Sequence, residues 1–402
     1  MRIVELSDIQ KARSTIQNVI HRTSTLVSRT FSERLGTELF LKRENEQKTG
    51  SFKIRGAYNK IASLTAEEKR RGVIACSAGN HAQGVALSAR LAGVKAHIVM
   101  PESAALVKIE ATRDYGAEVI LNGDYYDTAQ DHARTLAAER GFVFIPPFED
   151  PHIIAGQGTL GLELVEDAKD LDTVIVPIGG GGLISGVAVA VKALNPKCRV
   201  LGVQSVRAPG MAEAFKTKAL GGAVKAASTI ADGIAVKKPS PHIYENYISK
   251  YVDDIATVTE DEIAEAIVLL MERAKAVVEG AGATGLAALM AGKLKPGKRC
   301  AVVLSGGNID MNIVEKVIER GLSRHGRLSR FSVVVDDVPG MLSRITACLA
   351  QQKANILQVE HDRISSDLAL LETRIDLLVE SNSEEHAKRI KAELKGLGLR
   401  LL

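Results

Sequence analysis

Thr173-Val174-Ile175-Val176-Pro177-Ile178-Gly179-Gly180-Gly181-Gly182-Leu183 is an apolar run that ends in four consecutive glycines, and the residues after it, Ile184 to Leu194, recur at helical spacing. Val174 to Ile178 is short and β-branched, which favours a buried strand. A strand, a glycine turn and a helix are the parts of a βαβ unit, so the stretch predicts a parallel sheet. Four amides without side chains at a helix N-terminus form a cradle for an anion. One or two glycines would make the turn; four cost backbone entropy and ask for a phosphate that approaches the backbone closely.

Outward from this stretch the same rhythm repeats. Toward the C-terminus, strands are expected at Arg199 to Val203 and Cys300 to Leu304. Toward the N-terminus, Val73-Ile74-Ala75 precedes a helix over Asn80 to Leu91, Ala96 to Met100 precedes Leu106 to Tyr115, and Glu118 to Leu121 precedes Thr128 to Arg140, with a further strand at Phe142 to Ile145. The fold class is therefore α/β, with two parallel-sheet lobes and a cleft between them suited to a small cofactor. Ahead of them lie a helical pattern over residues 7 to 20 and a short strand at Leu39-Phe40-Leu41.

Thr49-Gly50-Ser51-Phe52-Lys53-Ile54-Arg55-Gly56-Ala57 opens another helix, with Ser51 as its expected N-cap and Lys53 in its first turn. The positive end of the helix dipole disfavours an ammonium there. A neutral, nucleophilic amine of the kind a Schiff base requires is the consequence. Ser77-Ala78-Gly79-Asn80-His81 occupies a strand-end turn of the first lobe, and Ser305-Gly306-Gly307-Asn308 ends the last large strand, where ligands of such sheets bind. Exposed amides in the first turn can hold a carboxylate, and Asn80 offers an amide to an oxygen acceptor.

The 402 residues are 46% apolar and 25% charged, enough for a substantial core and two or three domains. Lys and Arg number 52 against 48 Asp and Glu, and a balance of +4 argues against nucleic acid or a membrane surface as partner. Cys76, Cys198, Cys300 and Cys348 are isolated, without metal-ligand spacing, and the nine histidines have no ligand pattern. No metal site is expected. Met1 to Ser14 has no long apolar core, so a cytoplasmic location without a secretory signal is expected.

Ser51 to Ala57, Ser77 to His81, Gly179 to Leu183 and Ser305 to Asn308 together resemble the pyridoxal-phosphate enzymes of the threonine and serine dehydratase family, over residues 5 to 322. The resemblance implies a fold-type II architecture, similar to the tryptophan synthase β chain. It also implies roles. Lys53, with Phe52 beside it, would hold pyridoxal 5′-phosphate as an imine, Gly179, Gly180, Gly181, Gly182 and Leu183 its phosphate, Asn80 its 3′ oxygen and Ser305 its ring nitrogen. The amides of Ser77, Ala78, Gly79, Asn80 and His81 would take the substrate carboxylate. Glu279 matches an acidic position of the family's site, or is an exposed helix-end carboxylate. The implied reaction is threonine to 2-oxobutanoate and ammonia, with serine to pyruvate beside it. Serine racemase and serine-selective dehydratase are the alternatives within the family, and a non-catalytic amino-acid sensor the alternative outside it. Two departures narrow the choice: Ala78 stands where serine racemases carry an acid-base serine, and Gln204 replaces the leading acid of their divalent-cation segment.

From Phe331 the rhythm changes to an expected βαββαβ order. Asp337-Val338-Pro339-Gly340-Met341-Leu342 and Ala354-Asn355-Ile356 resemble the ACT domain, which implies an amino-acid effector and a homodimer or homotetramer; a domain that only assembles subunits is the other reading. The expected division is 1–322 catalytic, 323–330 a basic linker and 331–402 regulatory.

Overall fold

Parallel pairing organises the first 310 residues of the computed structural model, which describes residues 1–222, 227–324, 326–364 and 368–402. The strands in chain order are β1 (Thr25–Val27), β2 (Glu38–Arg43), β3 (Val73–Cys76), β4 (Ala96–Met100), β5 (Glu118–Leu121), β6 (Val143–Phe144), β7 (Thr173–Pro177), β8 (Arg199–Ser205), β9 (Asp254–Val258) and β10 (Arg299–Leu304). One sheet has the order β5-β4-β3-β6 and is wholly parallel. The other has the order β1-β2-β10-β7-β8-β9, parallel except for the β1–β2 pair. Every residue of β3 and β7 is buried, as expected for strands covered on both faces.

The N-terminal segment does not stay with the first lobe. β2 pairs with β10 over Glu38↔Arg299 to Arg43↔Leu304, so Leu39 to Leu41 lie in the second sheet. Periodicity reports a strand but not a partner about 260 residues away. β9 escaped the sequence reading altogether: it is an edge strand with only Val258 buried, and its pattern is weak. The first helix is Leu6–Ile16, shorter than the pattern over 7 to 20.

The helix Pro151–Asp167 is the joint of this unit. Asp150 caps it through Oδ1, which accepts from the amides of His152 and Ile153. It packs against the helices Lys53–Ala62 and Gly182–Leu194. The approach is close enough that a methyl at Gly156 would meet the Arg55 carbonyl, and one at Gly186 the Ile154 carbonyl. The Lys53 helix and the glycine-run helix are thus referred to one rigid element.

The unit Met311–Leu402 has its own core of Phe331, Val333, Val335, Ile345, Leu349, Ile375, Leu377, Val379, Ile390 and Leu394. Its strands β11 (Leu328–Asp336), β12 (Asn355–Asp362), β13 (Glu372–Glu380) and β14 (Arg400–Leu401) form an antiparallel sheet ordered β12-β13-β11-β14. With the helices Met341–Gln351 and Glu384–Gly396 the order is the expected βαββαβ. The expected linker at 323–330 is corrected: a helix runs over Met311–Arg324, β11 begins at Leu328, and the two units divide between Asp310 and Met311. Polar residues on a half-exposed strand, Ser329 and Arg330 among them, read as linker in the sequence. His325 lies outside the described residues. Among the described residues no helix is long and apolar enough to cross a membrane.

Candidate active site

Lys53 is the first residue of its helix, but the cap differs from expectation. Phe52 holds the N-cap position in a helical conformation, with no side-chain cap. Ser51 forms an antiparallel bridge to Gly306, which draws its backbone out of capping geometry, and its hydroxyl is buried without a partner. The Phe52 amide donates to the Ser305 carbonyl at 3.1 Å, so the Lys53 turn and the Ser305 turn are stitched together. Lys53 Nζ donates to the Pro147 carbonyl at 2.9 Å and lies 5.2 Å from the centre of the Phe52 ring. Burial pushes this amine down to about 8, against the opposing pull of Glu279. Desolvation, more than the helix dipole invoked from the sequence, makes it a nucleophile.

Glu279 is buried, at 5% exposure, at the N-cap of the helix Gly280–Met290, so it is not an exposed helix-end carboxylate. Its oxygens accept from Asn80 Nδ2 at 2.7 and 2.9 Å. Asn80 Oδ1 accepts from Asn308 Nδ2 at 2.7 Å, which also donates to the Thr49 carbonyl at 2.8 Å. Gly50, at φ +68°, lies against the Asn308 side chain, which leaves no room for a Cβ. Burial raises the Glu279 carboxyl to about 7, with the Asn80 hydrogen bond acting the other way. Each of Lys53 and Glu279 favours the other's charged form. In the cofactor-free protein, Glu279→Gln is therefore expected to move the pH midpoint for acylation of Lys53 below about 8. An unchanged or raised midpoint would show that the two groups are not coupled.

Gly79 is the N-cap of the helix Asn80–Leu91. The fold itself occupies two of the five amides expected to meet a carboxylate: Ser77 donates to the Val99 carbonyl at 3.2 Å, and Gly79 donates to Ser77 Oγ at 3.1 Å. Asn80 and His81 keep first-turn amides, which have no intrahelical acceptor. The His81 ring is buried within 2.9 Å of the Ile145 carbonyl; burial, with Lys53 nearby, lowers it to about 3 and keeps it neutral. Its side chain ties the helix to the sheet.

The glycine run sits where the sequence placed it, between β7 and the helix Gly182–Leu194, with Gly181 as N-cap at φ +90°. A methyl at Gly180 or Gly182 would run into Phe148, and one at Gly179 would lie 3.0 Å from Ile234 Cα. Leu183 packs into the core beneath the cradle. Ser305 follows β10 and is 2% exposed. Gln204 is engaged with backbone: its Nε2 donates to the Ile178 carbonyl at 3.2 Å, and its Oε1 accepts from the Ala212 amide at 2.8 Å. Among the described residues no cluster of three His, Cys, Asp or Glu is placed to hold a metal ion. Sequence reasoning missed Pro147 and Phe148. The Pro146-Pro147 dipeptide is a turn signal that could have drawn attention there, but it does not say that the turn meets Lys53.

A family model for pyridoxal-phosphate dependent enzymes matches residues 16–306, the span that holds Lys53, the glycine run and Ser305. The chain belongs to this family. Among its relatives, the L-threonine ammonia-lyase of Thermotoga maritima is 48% identical over 402 residues, all of both chains. The catabolic L-threonine dehydratase TdcB of Escherichia coli K12 is 48% identical over 78% of this chain and 96% of its own. The structure of the processed form of threonine deaminase isoform 2 from Solanum lycopersicum superposes with a TM-score of 0.74, at 36% identity, over 78% of this chain and 92% of that one. The fold is accordingly that of the fold-type II enzymes. The site also fits pyridoxal phosphate on its own terms: a desolvated amine for the carbonyl carbon, and a turn leading into a helix N-terminus in which a Cβ at Gly180, Gly181 or Gly182 would clash.

Proposed function

We propose that this pyridoxal-phosphate dependent enzyme is an L-threonine ammonia-lyase that yields 2-oxobutanoate and ammonia and also converts L-serine to pyruvate. The observation that carries the reading is the half-buried Lys53, its amine lowered to about 8 by desolvation, set in a chain that aligns end to end with a threonine ammonia-lyase. The bound cofactor supplies an electron sink at the substrate Cα. The chain supplies the rest. Lys53 would anchor the cofactor, and its freed amine would take the substrate's Cα proton at Nζ. Gly179 to Gly182 and Leu183 would hold the phosphate, Asn80, whose orientation is fixed by Glu279 and Asn308, would meet the 3′ oxygen, and Ser305 would meet the ring nitrogen. The free amides about Ala78, Asn80 and His81 orient the substrate carboxylate. Net, Cα loses a proton, Cβ exchanges hydroxide for a proton, and the oxygen of water replaces the amine, which leaves as ammonium. A panel of amino acids assayed for 2-oxo acid formation tests the reading; no product from threonine would overturn it.

Elimination without much racemisation is expected. Ala78 has no proton to give, so the face of the substrate opposite Lys53 lacks a donor at that position. L-Serine is incubated and D-serine measured; amounts comparable with pyruvate would show that another residue serves as the second acid.

For the tail, we infer an ACT-like regulatory domain. The helix Met341–Gln351 begins after Gly340, at φ +94°, and its first-turn amides suit an amino acid's carboxylate. Strand β12 is an edge with Leu357 and Val359 exposed, which supports association with a second copy in a homodimer or homotetramer. Branched-chain amino acids such as isoleucine or valine are the expected effectors, and a cytoplasmic enzyme fits their supply.

A further inference from the structure

We propose that the buried cluster Lys42–Glu44–Arg55–Glu163 is the positioning device for Lys53, fixing the rotation of its helix and its distance from the Ser305 turn. The proposal rests on the reading of Lys53 as the cofactor's anchor. Lys42, Glu44 and Arg55 are 0% exposed and Glu163 is 5% exposed. Arg55 uses its whole fork: Nε and Nη2 donate to Glu44 at 2.8 Å each, Nη1 and Nη2 donate to Glu163 at 2.7 and 2.9 Å, and Nη1 donates to Thr159 Oγ1 at 3.1 Å. Lys42 Nζ donates to Glu163 at 2.6 Å and to the Thr23 carbonyl at 2.8 Å. Thr23 in turn donates to Glu44. Two cations face two carboxylates, and Asp167 adds a third carboxylate 3.7 Å from Lys42 Nζ.

Its placement is what matters. Residues two apart on a helix leave it about 200° apart, so Arg55 and Lys53 project from nearly opposite faces of the same first turn. That turn has no side-chain cap, so ordinary capping does not hold it. Arg55 holds it instead, from behind. Lys42 and Glu44 belong to β2 and to the turn directly after it, and β2 runs in register with β10, which ends at Leu304, one residue before Ser305. Thr159 and Glu163 lie on the helix Pro151–Asp167, brought close by the Gly56–Gly156 crossing. The cluster therefore locks the anchor's helix to the strand beside Ser305 and to the helix that packs on the glycine run. Removing these charges from water is costly, and an apolar joint of similar volume is often as stable. What an ionic joint adds is a single register, since a guanidinium fork accepts its partners in few orientations.

The test uses Arg55→Lys, which keeps the charge and loses the fork, and Thr159→Val, which removes one bond to Arg55 and leaves both ion pairs. Three quantities are read: kcat and KM for L-threonine on cofactor-loaded enzyme, the pH midpoint for acylation of Lys53 on cofactor-free enzyme, and the thermal midpoint. For Arg55→Lys, kcat is expected to fall about 100-fold with little change in KM, the scale of a displacement of about 1 Å at a reacting group. The acylation midpoint is expected to rise from about 8 toward the ordinary lysine range. Thr159→Val is expected to shift both in the same direction by less. A lowered thermal midpoint with kcat and labelling unmoved would mean a merely structural clamp and overturn the proposal, as would wild-type behaviour throughout. Should Arg55→Lys fail to fold, Thr159→Val decides alone. Because labelling is read without cofactor, it tests the cluster even where the anchoring role of Lys53 fails.

Discussion

Replacement of Lys53 by alanine is expected to leave a folded protein whose threonine turnover is lower by about 10⁴-fold or more, because one side chain is proposed as both anchor and base. The fold should survive. Lys53 contributes one hydrogen bond, to the Pro147 carbonyl, and its amine titrates near 8 because burial disfavours the ammonium. An alanine there removes a desolvated group and preserves a good helix former in the first turn. The neighbours that define the turn, the Phe52 amide on the Ser305 carbonyl and the Arg55 fork on Glu44 and Glu163, do not involve the lysine side chain. Circular dichroism and the 2-oxo acid assay read the two halves of this expectation. Substantial turnover in Lys53→Ala, with no amine added to the buffer, would remove Lys53 from the mechanism. Collapse of the fold would instead show that the buried amine is a structural member.

Much of this site was legible because its signals are local. The glycine run after Val174 to Ile178 specifies strand, turn and helix within a short stretch, and the structure places Gly181 at the helix N-cap as that pattern demands. The βαββαβ order of the tail was legible for the same reason: Thr373, Ile375, Leu377 and Val379 are buried at every second position. The unread parts depend on contacts distant in sequence. Nothing near Leu39 says that β2 lies beside β10, and nothing near Glu279 says that its carboxylate meets Asn80, 199 residues away. The Ser51 cap was misassigned because a serine ahead of a helix usually caps it; here pairing with Gly306 took its backbone first. The polar faces of Ser329 and Arg330 resembled a linker because strand alternation hides half of each strand's partners. Arg55 was quoted within its motif, yet its burial was unreadable, since its carboxylate partners come from positions 44 and 163.

Cutting the chain after Asp310 should spare chemistry and abolish control. Met1–Asp310 is a compact unit holding every residue proposed to touch cofactor or substrate, from Lys53 to Ser305. Met311–Leu402 has a separate core and supplies none of them. Its proposed effector sits at the N-terminus of the helix after Gly340, and a shared site in paired tails would couple effector binding to subunit packing. A coupling of about 1–3 kcal/mol changes substrate affinity by about 5- to 150-fold. In the full chain, a branched-chain amino acid is therefore expected to move the threonine concentration at half-saturation by that factor, and in the truncated chain to leave it unmoved. Saturation curves for both chains, with and without isoleucine and valine, make the comparison. Thermodynamic reciprocity adds an internal check: threonine must change the affinity of the full chain for the effector by the same factor, which calorimetry can read. A truncated enzyme that keeps the full response would place the effector on the catalytic unit, leaving the tail the role of assembly.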